Sequence, residues 1–245
     1  MIPAIDVDLG PGVAAFFTTR AGGVSTGAHA ELNLGLNVED EPQRVRVNLG
    51  RVADRAGAPL ALGRQVHGAE VLQVRGAPRA DDPLVGTADA LVTVAGGVAL
   101  AVVVADCVPV LLADPQRRVV GTVHAGRGGL LAVVVPRAIE AMRALGAEEL
   151  RAAVGPAVCG RCYEVPAAMR DEVDCVVPGT ASTTSWGTPA LDLPAGVLAQ
   201  LTDAGVQRVE HVAACTFTDE RFYSHRAWSA GGERRGRFAG VVRLG

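Results

Sequence analysis

Two residues that often bind metals lie on either side of a predicted β-hairpin. Residues 99–126 (ALAVVVADCVPVLLADPQRRVVGTVHAG) contain two apolar, β-branched runs flanking residues 114–118, whose composition is typical of a turn. In a hairpin centred near Gln116, Cys107 and His124 lie almost opposite each other. Cross-strand neighbours have Cβ atoms about 4.5–5.5 Å apart, so the two side chains are close enough to share a metal ion or a proton.

A third candidate ligand is His67, which precedes a glycine that permits a sharp loop. Two imidazoles and one thiolate leave the fourth position of a tetrahedral site open, which is the arrangement of a catalytic zinc. The spacing leaves other interpretations open, because a cysteine after an apolar strand is usually a small buried hydrophobic residue. Cys107 and His124 could also act without a metal, as a nucleophile and its base. Asp89 and Asp106 are candidates for orienting a histidine.

Two further features could bind ligands, although simpler explanations fit them equally well. The glycine-rich segments 22–25 and 126–129 could cradle an anion such as phosphate, or could simply form turns. Arg20 and the cluster of Arg234, Arg235 and Arg237 could pair with phosphate, or could be solvated. Cys159 and Cys162 form a C-x-x-C pattern, but no second C-x-x-C is present to complete a structural zinc site. We therefore expect these two thiols to be incidental.

Helices and strands of ordinary length must position these side chains. Capping and periodicity predict helices at 40–56, 131–145 and 194–204. Predicted strands are 13–19, 70–74, 88–94, 98–104, 108–113, 119–124, 151–154, 209–214 and 240–244. Strands outnumber helices and are often joined by short turns, which favours an α/β (α+β) fold, with mixed β-sheets flanked by helices in a single domain over residues 1–245. Residues 178–189 are expected to form a surface loop.

Composition excludes several classes of function. The chain has 245 residues, of which 49% are hydrophobic, and a net charge of −3, so it is expected to be globular and not to bind nucleic acid. All 23 basic residues are arginine, which excludes a phosphate-loop lysine and a pyridoxal Schiff base. Five cysteines, no signal-peptide pattern and no apolar run long enough to span a bilayer predict a cytoplasmic protein with reduced thiols and no membrane partner.

Several motifs, in order along nearly the whole chain, carry a family resemblance. They are Thr18–Ser25, Asn33–Gly35, Gln65–Gly68, Ala88–Ala90, Ala105–Pro109, His124–Gly126, Gly155–Pro156, Cys162–Val165, Leu191–Leu193, Cys215–Thr216, Ser224–Arg226 and Gly236–Phe238. Together they resemble the laccase-domain family, whose members are described as polyphenol oxidases, peptidoglycan editing factors or zinc-dependent purine nucleoside phosphorylases.

The resemblance implies a zinc ion held by His67, Cys107 and His124, which would also be the catalytic residues. It implies phosphorolysis of adenosine, inosine, guanosine and methylthioadenosine, with adenosine deamination as a side activity. Purine nucleosides and phosphate are then the expected partners, and a monomer is the favoured state. The matching motifs make Arg20, Asn33 and Arg226 candidate substrate-binding residues.

The chain departs from the family pattern at three places. Leu49 follows Asn48 where the family usually has arginine, Arg127-Gly128 replaces Trp-Arg, and Ala227 replaces a second arginine. If the missing arginines contact phosphate or substrate, activity is altered or weakened, unless Arg127 compensates.

Three alternatives to a phosphorylase remain at this stage. The first is a Cys107/His124 amidase acting on peptidoglycan precursors, and the second is a metal-binding protein without activity. The third is a copper-dependent polyphenol oxidase, for which five histidines are too few to build a multicopper centre. A lone blue-copper site commonly needs an axial methionine, and Met142 and Met169 lie far from the hairpin in sequence. Zinc is therefore expected rather than copper.

Overall fold

A computed structural model describes residues 2–79 and 82–245. The strands are β1 (Ala4–Asp6), β2 (Val13–Thr18), β3 (Leu60–Arg64), β4 (Val71–Gln73), β5 (Leu84–Thr87), β6 (Ala90–Thr93), β7 (Ala99–Val104), β8 (Val108–Asp114), β9 (Val119–Ala125), β10 (Arg151–Val154), β11 (Ala181–Thr183), β12 (Pro189–Leu191), β13 (Arg208–His211) and β14 (Phe238–Leu244). The α-helices are α1 (Pro42–Ala56), α2 (Arg127–Leu131), α3 (Val134–Ala144), α4 (Ala167–Val176), α5 (Leu193–Asp203) and α6 (His225–Ser229), and a 3-10 turn covers Gly27–His29.

Within the described residues, the strands form two six-stranded sheets and a small hairpin. The first sheet has the order β1-β2-β14-β7-β3-β5, the second has the order β13-β10-β8-β9-β6-β4, and β11 pairs with β12. Both large sheets are mixed: β3 is parallel to β7 whereas β14 is antiparallel to it, and β13 is parallel to β10 whereas β8 is antiparallel to it. The predicted α/β fold with mixed sheets flanked by helices is therefore confirmed.

The central strands are buried on both faces because the two sheets pack against each other and helices cover their outer sides. In β8, Val110 and Leu112 pack in a cluster with α3 and α5. The alternate residues Leu111 and Ala113 lie between the two sheets, in a cluster that includes Phe17 of β2. This alternation is the two-residue period of a strand, and burial of both faces explains the continuous apolar runs in the sequence.

Helix α1 covers the outer side of the first sheet. Its buried residues Val45, Leu49, Val52 and Ala56 recur at helical spacing and join a cluster with residues of β3, β7 and β14. The helix begins two residues later than predicted, at Pro42, because proline suits the first helical turn.

The predicted helix over residues 131–145 is wrong at its start. The segment 127–144 forms two helices, α2 and α3, separated at Val133, which has a left-handed backbone (φ 55°). Pro136 explains the break, since it has no amide hydrogen and its ring would clash with the carbonyl of Ala132 in a continuous helix.

The expected surface loop at 178–189 is also wrong in part, because β11 and the start of β12 pair within it as an antiparallel hairpin. Helix α4 was not predicted because Val173 is its only buried residue, so it has no clear apolar face. The strands β3 and β5 were not predicted because their patterns are short. Within the described residues, no helix is both long enough and apolar enough to cross a membrane.

Candidate metal centre and active site

The predicted hairpin exists and brings Cys107 and His124 together. Strands β8 and β9 are antiparallel, with Pro109 opposite His124 and Val108 opposite Ala125. Cys107 therefore lies just outside β8, two residues beyond the position opposite His124. Asp106, with a left-handed backbone (φ 82°), bends the chain immediately before it.

His67 reaches the same point from a loop that follows β3. The backbone of His67 is itself left-handed (φ 61°), and its Nε2 lies 3.7 Å from the Cys107 sulfur. The His67 and His124 rings meet edge to face, with centroids 4.7 Å apart. The candidate ligand atoms of His67, Cys107 and His124 all lie within 4.8 Å of one another. The structure thus brings together the three residues that the sequence analysis selected.

A buried carboxylate holds both histidines in place. Asp89 Oδ1 accepts a hydrogen bond from His124 Nδ1 at 2.8 Å and another from the His67 amide at 2.9 Å. Its Oδ2 accepts from the amides of Val66 (3.2 Å) and Gly68 (2.8 Å). The contact at Nδ1 leaves His124 Nε2 for a metal, which is the usual arrangement around a metal-binding histidine. The expectation that Asp89 orients a histidine is therefore confirmed.

Electrostatics at the centre favour a thiolate. Partial burial raises the pKa of Cys107, but hydrogen bonds from His124 and His67 outweigh it and lower the pKa to about 6. Burial also opposes charge on His124, but its hydrogen bonds to Asp89 and Cys107 raise its pKa to about 9. Burial raises the pKa of Asp89, while its bonds to His124, Gly68 and Val66 hold it below the usual value. Cys107 is therefore ready to bind a cation.

This donor set fits zinc. Two imidazole nitrogens and one thiolate match zinc coordination, and three protein ligands leave one position open for chemistry. A blue-copper centre would add a weak axial ligand, commonly methionine. Met142 is buried in the core and the Met169 sulfur contacts the Arg127 guanidinium, and of the residues described, neither methionine lines the cavity beside the centre.

The backbone at Gly126 passes too close to the centre to carry a side chain. A Cβ there would lie 2.8 Å from the His67 ring and 3.0 Å from the Cys107 sulfur. At Gly128 it would lie 2.7 Å from the His67 carbonyl oxygen. These contacts explain the glycines that follow His124.

We expect Gly126→Ala to weaken metal binding, because the added methyl group displaces two ligands. Overpacking of this kind costs about 1–3 kcal/mol, so zinc affinity should fall by about tenfold or more. Competition with a chelator measures this change. Gly50→Ala in α1, where a Cβ meets nothing within 4 Å, is the matched control and should bind zinc as the wild type does. Equal affinities in both variants would contradict the assigned geometry.

The centre opens into a cavity of about 810 Å³. Four arginines line it together with the three candidate ligands; they are Arg64, Arg127, Arg226 and Arg237. Apolar side chains, including Leu36, Leu62 and Val103, line the rest of the wall. Pockets for small molecules typically measure about 300–1,000 Å³, so this cavity can hold a small substrate beside an anion.

Arg226, a predicted substrate-binding residue, lies on the cavity wall. Its guanidinium is 5.2 Å from the centre of the Tyr163 ring, and one nitrogen donates to the Glu164 carbonyl at 2.9 Å. Its backbone amide donates to Asp106 Oδ2 at 2.6 Å, while Thr216 donates to Oδ1 at 2.6 Å. Asp106 therefore ties Arg226 to the loop that carries Cys107.

The other two predicted substrate-binding residues lie elsewhere, since neither Arg20 nor Asn33 is among the described residues that line the cavity. The Arg20 side chain donates to the carbonyls of Glu220 (2.6 Å) and Ala30 (3.1 Å). Asn33 is buried, and its Oδ1 accepts from the amides of Gly35 (3.0 Å) and Arg237 (2.9 Å), which do line the cavity. Direct contact with substrate stays a prediction for both residues, and the structure shows Asn33 positioning Arg237.

The three departures from the family pattern fall in different environments. Leu49 is a buried residue of α1 and packs in the core between this helix and the first sheet. Arg127 and Gly128 line the cavity, whereas Ala227 lies in the first turn of α6, where its amide donates to the hydroxyl of the capping residue Ser224. Arg127 is therefore the departure that stands where it can contact a substrate.

Sequence reasoning missed two residues of the site. Arg64 lines the cavity at the end of β3. Gln65 fastens the His67 loop to β7, since its side chain donates to the Val103 carbonyl (2.8 Å) and accepts from the Val103 amide (3.0 Å). Their position next to His67 in the motif was the available signal.

Known proteins with similar sequences and structures belong to the family that the sequence motifs resemble. Over residues 14–245 the chain matches the family described as multi-copper polyphenol oxidoreductase laccase. It is 50% identical over 233 residues to purine nucleoside phosphorylase ORF3 of Streptomyces griseus, covering 93% of each chain. It is 45% identical over 230 residues to a purine nucleoside phosphorylase of Mycobacterium bovis, covering 92% of this chain and 89% of that protein. The crystal structure of Neisseria meningitidis protein NMB0706 is similar with a TM-score of 0.85 at 32% identity, over 98% of both chains. The chain therefore belongs to the laccase-like, multi-copper polyphenol oxidoreductase family.

Proposed function

We propose that residues 1–245 form a zinc-dependent purine nucleoside phosphorylase that acts in the cytoplasm as a monomer. Its substrates are adenosine, inosine, guanosine and methylthioadenosine, and it deaminates adenosine as a side activity. The observation that carries the proposal is a His-Cys-His centre opening into a cavity lined by four arginines. The names of relatives at 45–50% identity support the same activity.

His67, Cys107 and His124 are the residues that would hold the zinc ion, with Asp89 fixing both histidines. Zinc supplies Lewis-acid chemistry when bound, polarising a group of the substrate. The left-handed backbone of His67 and the bare backbone of Gly126 keep the ligands close together.

Phosphate is the second substrate, and the arginines of the cavity provide its binding site. Phosphorolysis moves C1′ of the ribose from a purine nitrogen to a phosphate oxygen, so phosphate and nucleoside must be held together. Guanidinium groups bind phosphate through paired, charge-assisted hydrogen bonds. Arg127 and Arg237 line the same cavity as the ligands, and the apolar residues Leu36, Leu62 and Val103 suit the purine base.

Adenosine deamination is assigned to the same cavity, with water replacing the 6-amino group of the base. This reaction needs a group that moves protons, and the nearby carboxylates Asp89 and Asp106 are the candidates; both have hydrogen bonds on both oxygens. These hydrogen bonds also make both carboxylates positioning residues.

Base release should require phosphate. Purified protein with inosine should yield hypoxanthine and ribose 1-phosphate only when phosphate is present, as chromatography of the products shows. Arg127→Gln should raise KM for phosphate about tenfold or more, since a hydrogen bond to a charged group contributes about 1.5–3 kcal/mol. Arg137→Gln, an exposed position on α3, is the control and should match the wild type. Base release without phosphate would refute the phosphorylase assignment.

An amidase remains the second candidate, because Cys107 and His124 also have the electrostatics of a nucleophile and its base. Metal-free, phosphate-independent cleavage of an amide in a peptidoglycan precursor would support it.

A further inference from the structure

A second group of metal-ligating atoms lies apart from the residues of the cavity. The sulfur atoms of Cys159, Cys162 and Cys215 all lie within 4.8 Å of one another, and none is in a disulfide. The C-x-x-C thiols are expected from the sequence to be incidental, because no second C-x-x-C is present. Cys215 supplies the missing sulfur from a distant part of the chain.

Backbone geometry builds this three-cysteine cluster. The C-x-x-C segment forms a turn in which the amide of Cys162 donates to the carbonyl of Cys159 at 2.9 Å. An isolated parallel β-bridge between Ala157 and Cys215 places the segment before the C-x-x-C turn beside the segment that contains Cys215. Within the turn Gly160 packs closely on Asp192, where a Cβ would lie 2.7 Å from its side chain.

Hydrogen bonds and burial make the three cluster cysteines unequal in acidity. The amide of Cys159 donates to the Cys215 sulfur at 3.4 Å. Burial opposes ionisation of Cys215, but this amide, the Cys159 thiol and the amides of Phe217 and Thr218 lower its pKa. Burial and the neighbouring cysteines raise the pKa of Cys162 to about 12. Burial and the contact with Cys215 also raise the pKa of Cys159, so Cys215 is the most acidic of the three.

We propose that Cys159, Cys162 and Cys215 form a second metal site, which binds a thiophilic d10 ion, Zn²⁺ or Cu⁺, through three thiolates. Binding forms three metal–sulfur bonds and releases the thiol protons to solvent. An all-sulfur donor set selects softer ions than the His-Cys-His centre does. Cys159 and Cys215 are only partly buried, which leaves solvent access for the ion and for a fourth ligand on zinc.

The role of this second site is structural. The amide of Val158, next to Cys159, donates to the Asp106 carbonyl at 3.0 Å, and the hydroxyl of Thr216, next to Cys215, donates to the Asp106 side chain at 2.6 Å. Tyr163, next to Cys162, lines the cavity. A metal bound by the three cysteines therefore stabilises the loop that carries Cys107 and the segment that places Tyr163 on the cavity wall.

Metal titration of the reduced, full-length protein tests this proposal. Zinc is added against a competing chelator, and Cu⁺ against a Cu⁺-selective chelator. We expect wild type and Cys175→Ser to bind one ion more than Cys215→Ser or Cys159→Ser does. The ion that gives the difference identifies the metal. Cys107→Ser should lose the ion of the cavity centre and keep the ion of the three-cysteine cluster. The titration therefore tests each of the two sites independently of the other. Equal stoichiometry for both ions in wild type and Cys215→Ser would overturn the proposal.

Differential alkylation of the wild type decides the question if the variants do not fold. With metal bound, iodoacetamide should label exposed Cys175 but not the three cluster cysteines, and chelation should make all three reactive. Rapid labelling of the cluster in metal-loaded protein, or a Cys159–Cys162 disulfide in freshly purified protein, would show that no metal is held there.

Discussion

Cys107→Ser is expected to lose the zinc of the cavity centre and, with it, phosphorolysis. A neutral serine hydroxyl is a much poorer zinc ligand than a thiolate, and Cys107 ionises readily because its pKa is about 6. Since loss of an outer partner alone lowers metal affinity by about 10–100-fold, loss of this ligand should exceed that range. Elemental analysis and the phosphate-dependent assay measure the two effects. Cys175→Ser, at an exposed free cysteine, should change neither.

The same residue separates the phosphorylase from the amidase. As a zinc ligand, the Cys107 sulfur should resist iodoacetamide until a chelator removes the metal. As a nucleophile activated by His124, it should be among the most reactive thiols and need no chelator. Fast labelling without chelator, together with unchanged zinc content in Cys107→Ser, would refute the metal centre and the phosphorylase assignment that depends on it.

Asp89→Asn should lower zinc affinity by about 10–100-fold and reduce activity in parallel. The asparagine side chain cannot replace the carboxylate, because both oxygens of Asp89 accept hydrogen bonds. The NH₂ group of asparagine takes the place of one oxygen and cannot accept. Either His124 and the His67 amide, or the amides of Val66 and Gly68, lose their acceptor. The negative charge that holds His124 in position is also lost. Zinc affinity is measured by chelator competition, and kcat by base release.

The chain contains a closely matched control for this substitution. Asp114 is also buried, and its two oxygens accept from the amides of Gln116, Arg117, Glu148 and Glu149. Asp114→Asn should therefore lower thermal stability as Asp89→Asn does, but leave zinc affinity unchanged. If both variants lose zinc equally, Asp89 supports only the fold and not the metal centre.

Local patterns in the sequence were sufficient for most strands of the two large sheets and for the closeness of Cys107 and His124. The hairpin of β8 and β9 was predictable because two long apolar runs flank a turn and pair without any other element. Cys107 and His124 lie on that hairpin, so their proximity follows from local pairing. His67 was a candidate because the glycine after it permits a sharp loop, and the family resemblance implied the same residue. Nothing local links a loop after β3 to the hairpin.

Helix boundaries and strands that depend on contacts between residues far apart in the sequence could not be predicted from local patterns. The break at Val133 depends on where Pro136 falls within a segment whose apolar pattern continues without interruption. The short strands β3 and β5 are strands because they pair with β7 and with each other, which requires residues far apart in the sequence.

The sequence by itself determined which side chains can bind a metal, because residue type decides donor chemistry. Only the tertiary structure decided what surrounds them. It placed Asp89 against both histidines, gathered four arginines around one cavity, and brought Cys215 to the C-x-x-C turn. Arg20 and Asn33 shared the motifs but are not among the described residues that line the cavity. The physical reason is that a folded chain sets side-chain neighbours by the packing of sheets and loops, and a linear pattern does not record those distances.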